Sequence, residues 1–358
     1  MKKFFISIVF LSLSIGLLAQ ESDSTATDTI SAISETDNQK AEKIYNEGVK
    51  LMDQKKYEQA IEKFNEALEI KAGFENAYFN QAAAYFELKK YNDALDVYNK
   101  LVLIDPKAKV LYGRGLVRYN LKDINGAFLD FEKCTQIDNS NEFTKALYYL
   151  GGISFEQGKY NEALEYYNKF IKVNSQFADA YNDRGSTYRK LEMYEKAVAD
   201  YQKAVELNPQ MKITFNNLGS ALKKLDKNQE AIEAYTKAIQ IDANCHIAYN
   251  NRGSAYMNIN EFQKALSDFS MAIKLKSDYV YAINNRANLF YENGKYEQAM
   301  KDYNKAIEIN PNYSYAYLNR GILKEEIRDK KGACEDWSKA YELGLEIAGQ
   351  YFKNQCNN

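Results

Sequence analysis

Apolar and aromatic residues recur along this chain on two scales at once. Locally they fall at i, i+4 and i+7, the spacing of one face of an α-helix. At longer range the whole set returns every 34 residues, with steps of 33 and 36 around the third set. The register is marked by a small residue followed twelve positions later by another. The first is Gly48, Ala82, Gly115, Gly151, Gly185, Gly219, Gly253, Ala287 and Gly321. The second is Ala60, Ala94, Ala127, Ala163, Ala197, Ala231, Ala265, Ala299 and Ala333. With Gly48 as slot 8 of a unit, slot 4 is apolar or aromatic throughout, from Ile44 to Tyr317. Slots 4, 8 and 11 predict a first helix, A; slots 20, 24 and 27 predict a second, B. Slot 24 is always aromatic, from Phe64 to Trp337, and small residues at slots 8 and 20 let the two helices approach around it. The three prolines, Pro106, Pro209 and Pro311, all fall at slot 32, where proline ends helix B. A fixed period of this length predicts an all-α solenoid of nine helix pairs over residues 41–344.

The pattern resembles the tetratricopeptide repeat, and the segment 182–209, NDRGSTYRKLEMYEKAVADYQKAVELNP, follows that family's consensus closely. The resemblance runs from residue 41 to residue 345. It implies a right-handed superhelix with a concave inner groove, and binding rather than catalysis. Repeats three and four depart from it. Arg118 and Ser154 stand at slot 11, with Tyr119 and Phe155 one place later, which predicts a local change of pitch.

Comparison of the repeats with one another predicts a contact. Wherever slot 7 is Arg, slot 23 is Asp: Arg114 with Asp130, Arg184 with Asp200, Arg252 with Asp268, Arg286 with Asp302, Arg320 with Asp336. Leu150 and Leu218 at slot 7 are matched by Tyr166 and Ala234, and repeat one reverses the charges as Glu47 and Lys63. A guanidinium and a carboxylate at these slots make a bidentate brace between helices A and B.

Charge adds an exclusion: 47 Lys and Arg against 49 Asp and Glu, with no basic block, argue against nucleic acid as partner. The ends add an address. Lys2, Lys3, the apolar run Phe4–Leu18 and Ala19 read as a secretory leader over residues 1–19. An uncleaved anchor is the alternative, although the run is short for a span. Cleavage leaves a mature chain with no integral span, exported to the periplasm or the extracellular space. Residues 20–40, rich in Ser, Thr and Asp, read as a flexible linker. At the other end, residues 345–358 read as a capping helix folded back about Gly344, which sets Cys334 opposite Cys356. Export permits a disulfide between them.

Family geometry places slots 2, 5, 6, 9, 12 and 13 on the concave wall, and there the chain divides. Slot 5 is Tyr45, Phe79, Tyr112 and Tyr148 in repeats one to four, then Asn182, Asn216, Asn250 and Asn284 in repeats five to eight. Slot 6 adds Asn217, Asn251, Asn285 and Asn319, similar to the asparagine ladder in the repeat region of O-linked N-acetylglucosamine transferase. The expectation is a non-catalytic scaffold that binds an extended peptide segment of a protein partner. Its apolar side chains would rest on the aromatic half and its backbone on the amides. Three alternatives stay open: coverage of the rings by Ile30 and Ile33 of the linker, self-association, and an architectural subunit of an envelope complex using convex or edge surfaces. Catalysis finds no support: the single histidine, His246, has no partner set, the cysteines lack CxxC spacing, and no Gly-rich phosphate loop occurs. No cofactor or metal is expected.

Overall fold

The computed structural model describes residues 35–356; the expected leader and residues 20–34 of the expected linker lie outside them. The described residues form nineteen helices and no strand. They divide into two compact units, one ending at Ala77 and one starting at Tyr78.

The first unit holds α1 (Glu35–Asp53) and α2 (Tyr57–Ile70). α1 begins inside the segment expected to be linker, because Glu35 to Lys40 contain no Gly or Pro and several good helix formers, so the helix propagates backward from Ala41. The Phe64 ring lies over Gly48 so closely that a Cβ there would come within 2.6 Å of it. Only a residue without a side chain lets the two helices meet at this distance. The reversed pair of repeat one, Lys63 and Glu47, stands 3.8 Å apart on the surface.

α3 (Glu75–Glu87) carries the chain into the second unit. There follow α4 (Tyr91–Ile104), α5 (Ala108–Asn120), α6 (Ile124–Ile137), α7 (Lys145–Glu156), α8 (Tyr160–Val173), α9 (Ala178–Lys190) and α10 (Tyr194–Leu207). The rest are α11 (Lys212–Lys224), α12 (Asn228–Ile241), α13 (His246–Asn258), α14 (Phe262–Leu275), α15 (Val280–Glu292), α16 (Tyr296–Ile309), α17 (Ser314–Glu326), α18 (Lys330–Glu342) and α19 (Glu346–Cys356). Odd-numbered helices up to α17 are the A members of the repeats and even-numbered ones the B members. From α4 onward each helix packs on the next, and successive A helices also touch, α7 on α9, α9 on α11, and onward to α17. The slot-24 rings, from Tyr98 to Trp337, are buried where these contacts meet.

Every A–B turn uses one left-handed residue, always slot 15. It is Gly158 at φ +75° and Gly294 at +68°, but also Lys122 at +68°, Glu192 at +59° and Asn260 at +60°. In repeat three the Asp123 N–H donates back to the Arg118 carbonyl at 2.9 Å, closing the helix end around that residue.

The C-terminal helix α19 folds back on α18 through Gly344 at φ +87°. Tyr351 packs on Trp337 with centroids 5.3 Å apart, and a Cys334–Cys356 disulfide joins the pair with Cα atoms 5.8 Å apart. Closing this loop is expected to stabilise the end of the stack by about 2–3 kcal/mol. Amide hydrogen exchange after reduction is expected to show α19 and the last repeat opening first, with repeats two to five unchanged. Equal loss of protection throughout the chain would contradict this.

Candidate functional site

From repeat three onward the wall formed by the A helices is held together by a repeating side-chain contact: slot 5 of one repeat meets slot 6 of the next. In the amide half the contact is a hydrogen bond. The Asn251 amide donates to Asn216 Oδ1 at 3.0 Å, Asn285 to Asn250 at 2.9 Å and Asn319 to Asn284 at 3.2 Å. Asn217 approaches Asn182 Oδ1 at 3.5 Å, and the Thr214 hydroxyl donates to the same oxygen at 2.9 Å. The slot-5 oxygens are therefore engaged between repeats. Asn250 and Asn284 are buried, which leaves the slot-6 edge of the ladder toward solvent.

In the aromatic half the slot-5 rings pack against neighbouring rings; of the four only Tyr148 is buried, and Tyr45, Phe79 and Tyr112 are partly buried. Tyr112 lies 6.4 Å from slot-6 Tyr149, 5.5 Å from Phe143 and 6.0 Å from Phe131. Tyr148 is 7% exposed, enclosed by Tyr167, Phe170 and Phe177. Phe79 meets Tyr98 edge-on at 6.1 Å. In the first unit Tyr45 packs on Phe74 at 4.8 Å and on Phe64 at 5.8 Å. Tyr119, one place after slot 11, is partly buried against Tyr149 at 5.5 Å. The halves join at Asp183. The Tyr148 hydroxyl donates to it at 2.6 Å, and so does the Asn182 amide at 2.9 Å. Burial, reinforced by the Asp183 charge, holds the Tyr148 hydroxyl far above its ordinary ionisation range.

Beyond the ladder the wall carries hydroxyls and exposed apolar groups. Slot-24 hydroxyls reach slot 9, with Tyr201 donating to Ser186 at 3.1 Å, Tyr235 to Ser220 at 3.2 Å and Tyr303 to Asn288 at 2.7 Å. Slot 2 of repeats six to nine is a row of half-exposed large side chains: Ile213 at 41%, Ile247 at 42%, Tyr281 at 52% and Tyr315 at 52%. Tyr281 sits between the rings of Tyr279 at 5.4 Å and Tyr313 at 5.3 Å, so the row is stiffened from beneath. Sequence reading missed this row because slot 2 was not compared between repeats.

The brace residues meet in all five units. Arg252 Nε and Nη2 donate to the two Asp268 oxygens at 2.7 and 2.8 Å, and Arg114, Arg184, Arg286 and Arg320 pair likewise with Asp130, Asp200, Asp302 and Asp336. Each guanidinium also has a third partner, slot 25 of the preceding repeat. Nη1 donates to Asn99 at 3.2 Å, Asn168 at 2.8 Å, Thr236 at 3.0 Å, Ser270 at 3.5 Å and Asn304 at 2.7 Å. The brace thus ties three helices and two repeats. Slot 11 joins it twice: Arg118 donates to Asp130 at 2.9 Å, and Lys324 stands 2.9 Å from Asp336. Slot-11 Ser154 is instead buried, donating to Glu162 at 3.1 Å.

Reactive groups are dispersed. Among the described residues no cluster of three His, Cys, Asp or Glu side chains is placed to hold a metal ion. His246 lies edge-on to Tyr279 at 4.8 Å, and burial lowers its pKa. Burial pushes the Cys134 thiol up to about 12, so it sits in the core as a neutral thiol.

Family models describe the same periodicity. Models of the tetratricopeptide repeat match residues 51–114, 108–141, 178–211, 213–245 and 246–279, and a TPR repeat model matches 151–192 and 287–326. A TPR repeat-containing protein of Methanocaldococcus jannaschii is 30% identical over 139 residues, 38% of this chain and 24% of that protein, so the chain spans about a quarter of that relative's length. A tetratricopeptide repeat protein from Parabacteroides merdae superposes with a TM-score of 0.60 at 22% identity, covering 70% of this chain and 99% of the other. The C-terminal part of a TPR repeat-containing protein from Cytophaga hutchinsonii gives a TM-score of 0.57 at 20% identity, covering 67% and 98%. These two likenesses concern the fold alone. With the models matching most of residues 51–326 and the slot pattern realised as packed helix pairs, the chain belongs to the tetratricopeptide repeat family.

Proposed function

We propose that this chain is a non-catalytic scaffold that holds an extended peptide segment of a protein partner on its A-helix wall. The observation that carries the reading is the slot-2 row, Ile213, Ile247, Tyr281 and Tyr315, exposed beside a ladder of amides. Half-exposed rings in a regular row present apolar surface that a partner can bury. The slot-6 edge of the ladder offers hydrogen bonds to a peptide backbone without reading its side chains. This shifts the apolar contacts from slot 5 of repeats one to four, whose rings pack within the protein, to slot 2 of repeats six to nine. An exported location fits the leader-like N-terminus and the Cys334–Cys356 disulfide.

A second reading, an architectural subunit that docks by its B-helix face, is favoured by Leu103 and Leu129, exposed at 87% and 62%. Selection of peptides from a random dodecapeptide display library on the full chain separates the two. With Tyr281→Ser and Tyr315→Ser together, affinity for the selected peptides is expected to fall about tenfold or more, the loss of about 1.4 kcal/mol or more. Leu103→Ser with Leu129→Ser is expected to leave it unchanged. The reverse result, or no selected peptide at all, rejects wall binding and leaves the architectural reading.

A further inference from the structure

The solvent face of the B helices is not the same along the stack. Slots 22, 26 and 29 fall at i, i+4 and i+7, opposite the buried stripe of slots 20, 24 and 27. Slots 22 and 29 are polar in nearly every repeat, with Ala199 the one small exception and two large ones, Leu129 at slot 22 of repeat three and Leu103 at slot 29 of repeat two. Both leucines stand out into solvent. Slot 30, next to this face, is apolar in all nine repeats. It is half-buried in repeats one and five to nine, but exposed in repeats two to four as Ile104, Ile137 and Val173.

The lysines of the face change in the same three repeats. In repeats five, eight and nine the slot-26 Lys pairs with a slot-29 Glu: Lys203 with Glu206 at 2.8 Å, Lys305 with Glu308 at 3.1 Å and Lys339 with Glu342 at 3.2 Å. In repeats two to four slot 29 is Leu103, Gln136 and Lys172, so Lys100, Lys133 and Lys169 have no carboxylate there. Among the described residues none of these three, nor Lys172, takes part in an ion pair. Across slots 22, 26 and 29 of these repeats the four lysines face two carboxylates, Asp96 and Glu165. The three helices stand side by side: α4 and α6 both pack on α5, and α6 and α8 both pack on α7. Between α6 and α8 the partly buried rings of Phe128 and Tyr166 meet at 6.2 Å, with Lys159 and Lys169 over them at 6.0 and 5.8 Å.

Aliphatic side chains that stand clear of the surface need a pocket apiece in a folded protein partner. A fluid lipid surface closes round them without one, and anionic headgroups complement lysines that lack a carboxylate. Lysine stems lie along the apolar layer while their ammonium groups stay at headgroup level. We propose that the B-helix face of repeats two to four rests on an anionic phospholipid surface, with Leu103 and Leu129 entering the headgroup layer and Lys100, Lys133, Lys169 and Lys172 on its phosphates. This seat does not depend on the peptide wall, which belongs to the A helices behind the buried stripe.

Sedimentation of the full chain with vesicles of phosphatidylglycerol and phosphatidylcholine, or of phosphatidylcholine alone, tests the proposal. Binding is expected on the mixed vesicles and should weaken as salt rises. Lys100→Glu, Lys133→Glu and Lys169→Glu together should weaken it about tenfold or more. Leu103→Ser with Leu129→Ser should do the same, about tenfold or more. The equal charge reversal at the paired lysines, Lys203→Glu, Lys305→Glu and Lys339→Glu, should weaken it far less. Circular dichroism melts verify that each variant folds. The apolar run Phe4–Leu18 is a second route to lipid, so a local reporter is needed. Leu103→Trp emission should shift to the blue on mixed vesicles and be quenched by lipids brominated near the headgroup. Glu233→Trp, on slot 22 of repeat six, should do neither, and the buried Trp337 supplies a constant background. Equal binding to both kinds of vesicle, equal losses from the two lysine triples, or a Leu103→Trp emission that does not shift overturns the proposal. If the chain binds neither vesicle it falls as well, and Leu103 and Leu129 stay with the architectural reading.

Discussion

Arg252→Ala is expected to remove about 3–5 kcal/mol from the stability of repeats six to eight, the cost of breaking a largely buried ion pair from one side. Asp268 is 5% exposed, so without its partner a carboxylate is left in the protein interior. Burial opposes the charge on Arg252, but the bonds and attraction to Asp268 outweigh it, and the guanidinium is held more firmly protonated than in water. The variant also frees the Thr236 hydroxyl of the preceding repeat, which accepts from Arg252 Nη1 at 3.0 Å. Removing both partners, Arg252→Ala with Asp268→Ala, should cost less than the sum of the single changes, because no charge is then stranded. Urea denaturation followed by hydrogen exchange reads both effects. Strict additivity would mean that the pair carries no coupling energy.

Tyr112→Ala is the second large effect, with an expected loss of about 3–5 kcal/mol. The ring touches Phe131 of α6, Phe143 of the turn after it and Tyr149 of α7, so truncation opens a cavity where repeats three and four meet. Phe79→Ala is expected to cost less, since that ring is only partly buried. Thermal melts followed by circular dichroism check the order. A Tyr112→Ala protein as stable as wild type, but with altered peptide capture, would return slot 5 to the binding surface.

The two variants mark where sequence reading succeeded and where it stopped. The brace was legible because five copies vary together within one chain, Arg with Asp and Leu with Tyr or Ala. The third contact left a trace that went unread. Slot 25 is Asn99, Asn168, Thr236, Ser270 or Asn304 ahead of an Arg repeat, but Glu132 and Gln202 ahead of Leu150 and Leu218. This contact lies between units, and covariation of slots within a unit does not report it. The packing around the slot-5 rings was hidden for a related reason. Helical period assigns a face, but exposure depends on what the neighbouring repeat sets against that face, and Tyr149 and Phe177 fill the space. The left-handed turn residue was invisible because Lys, Glu, Asp, Asn and Arg stand there more often than Gly. Helix pairs, the slot-24 core and the C-terminal fold-back were readable because each rests on spacing along a single helix or one turn.

The third arm of the brace also bears on how the second unit would come apart under load. Brace arginines tie repeat three to two, five to four, and then seven, eight and nine each to the one before. Repeats four and six have Leu150 and Leu218 in that place, so two joints lack the tie. Pulled lengthwise, such a stack yields in segments of two, two and four repeats instead of one at a time.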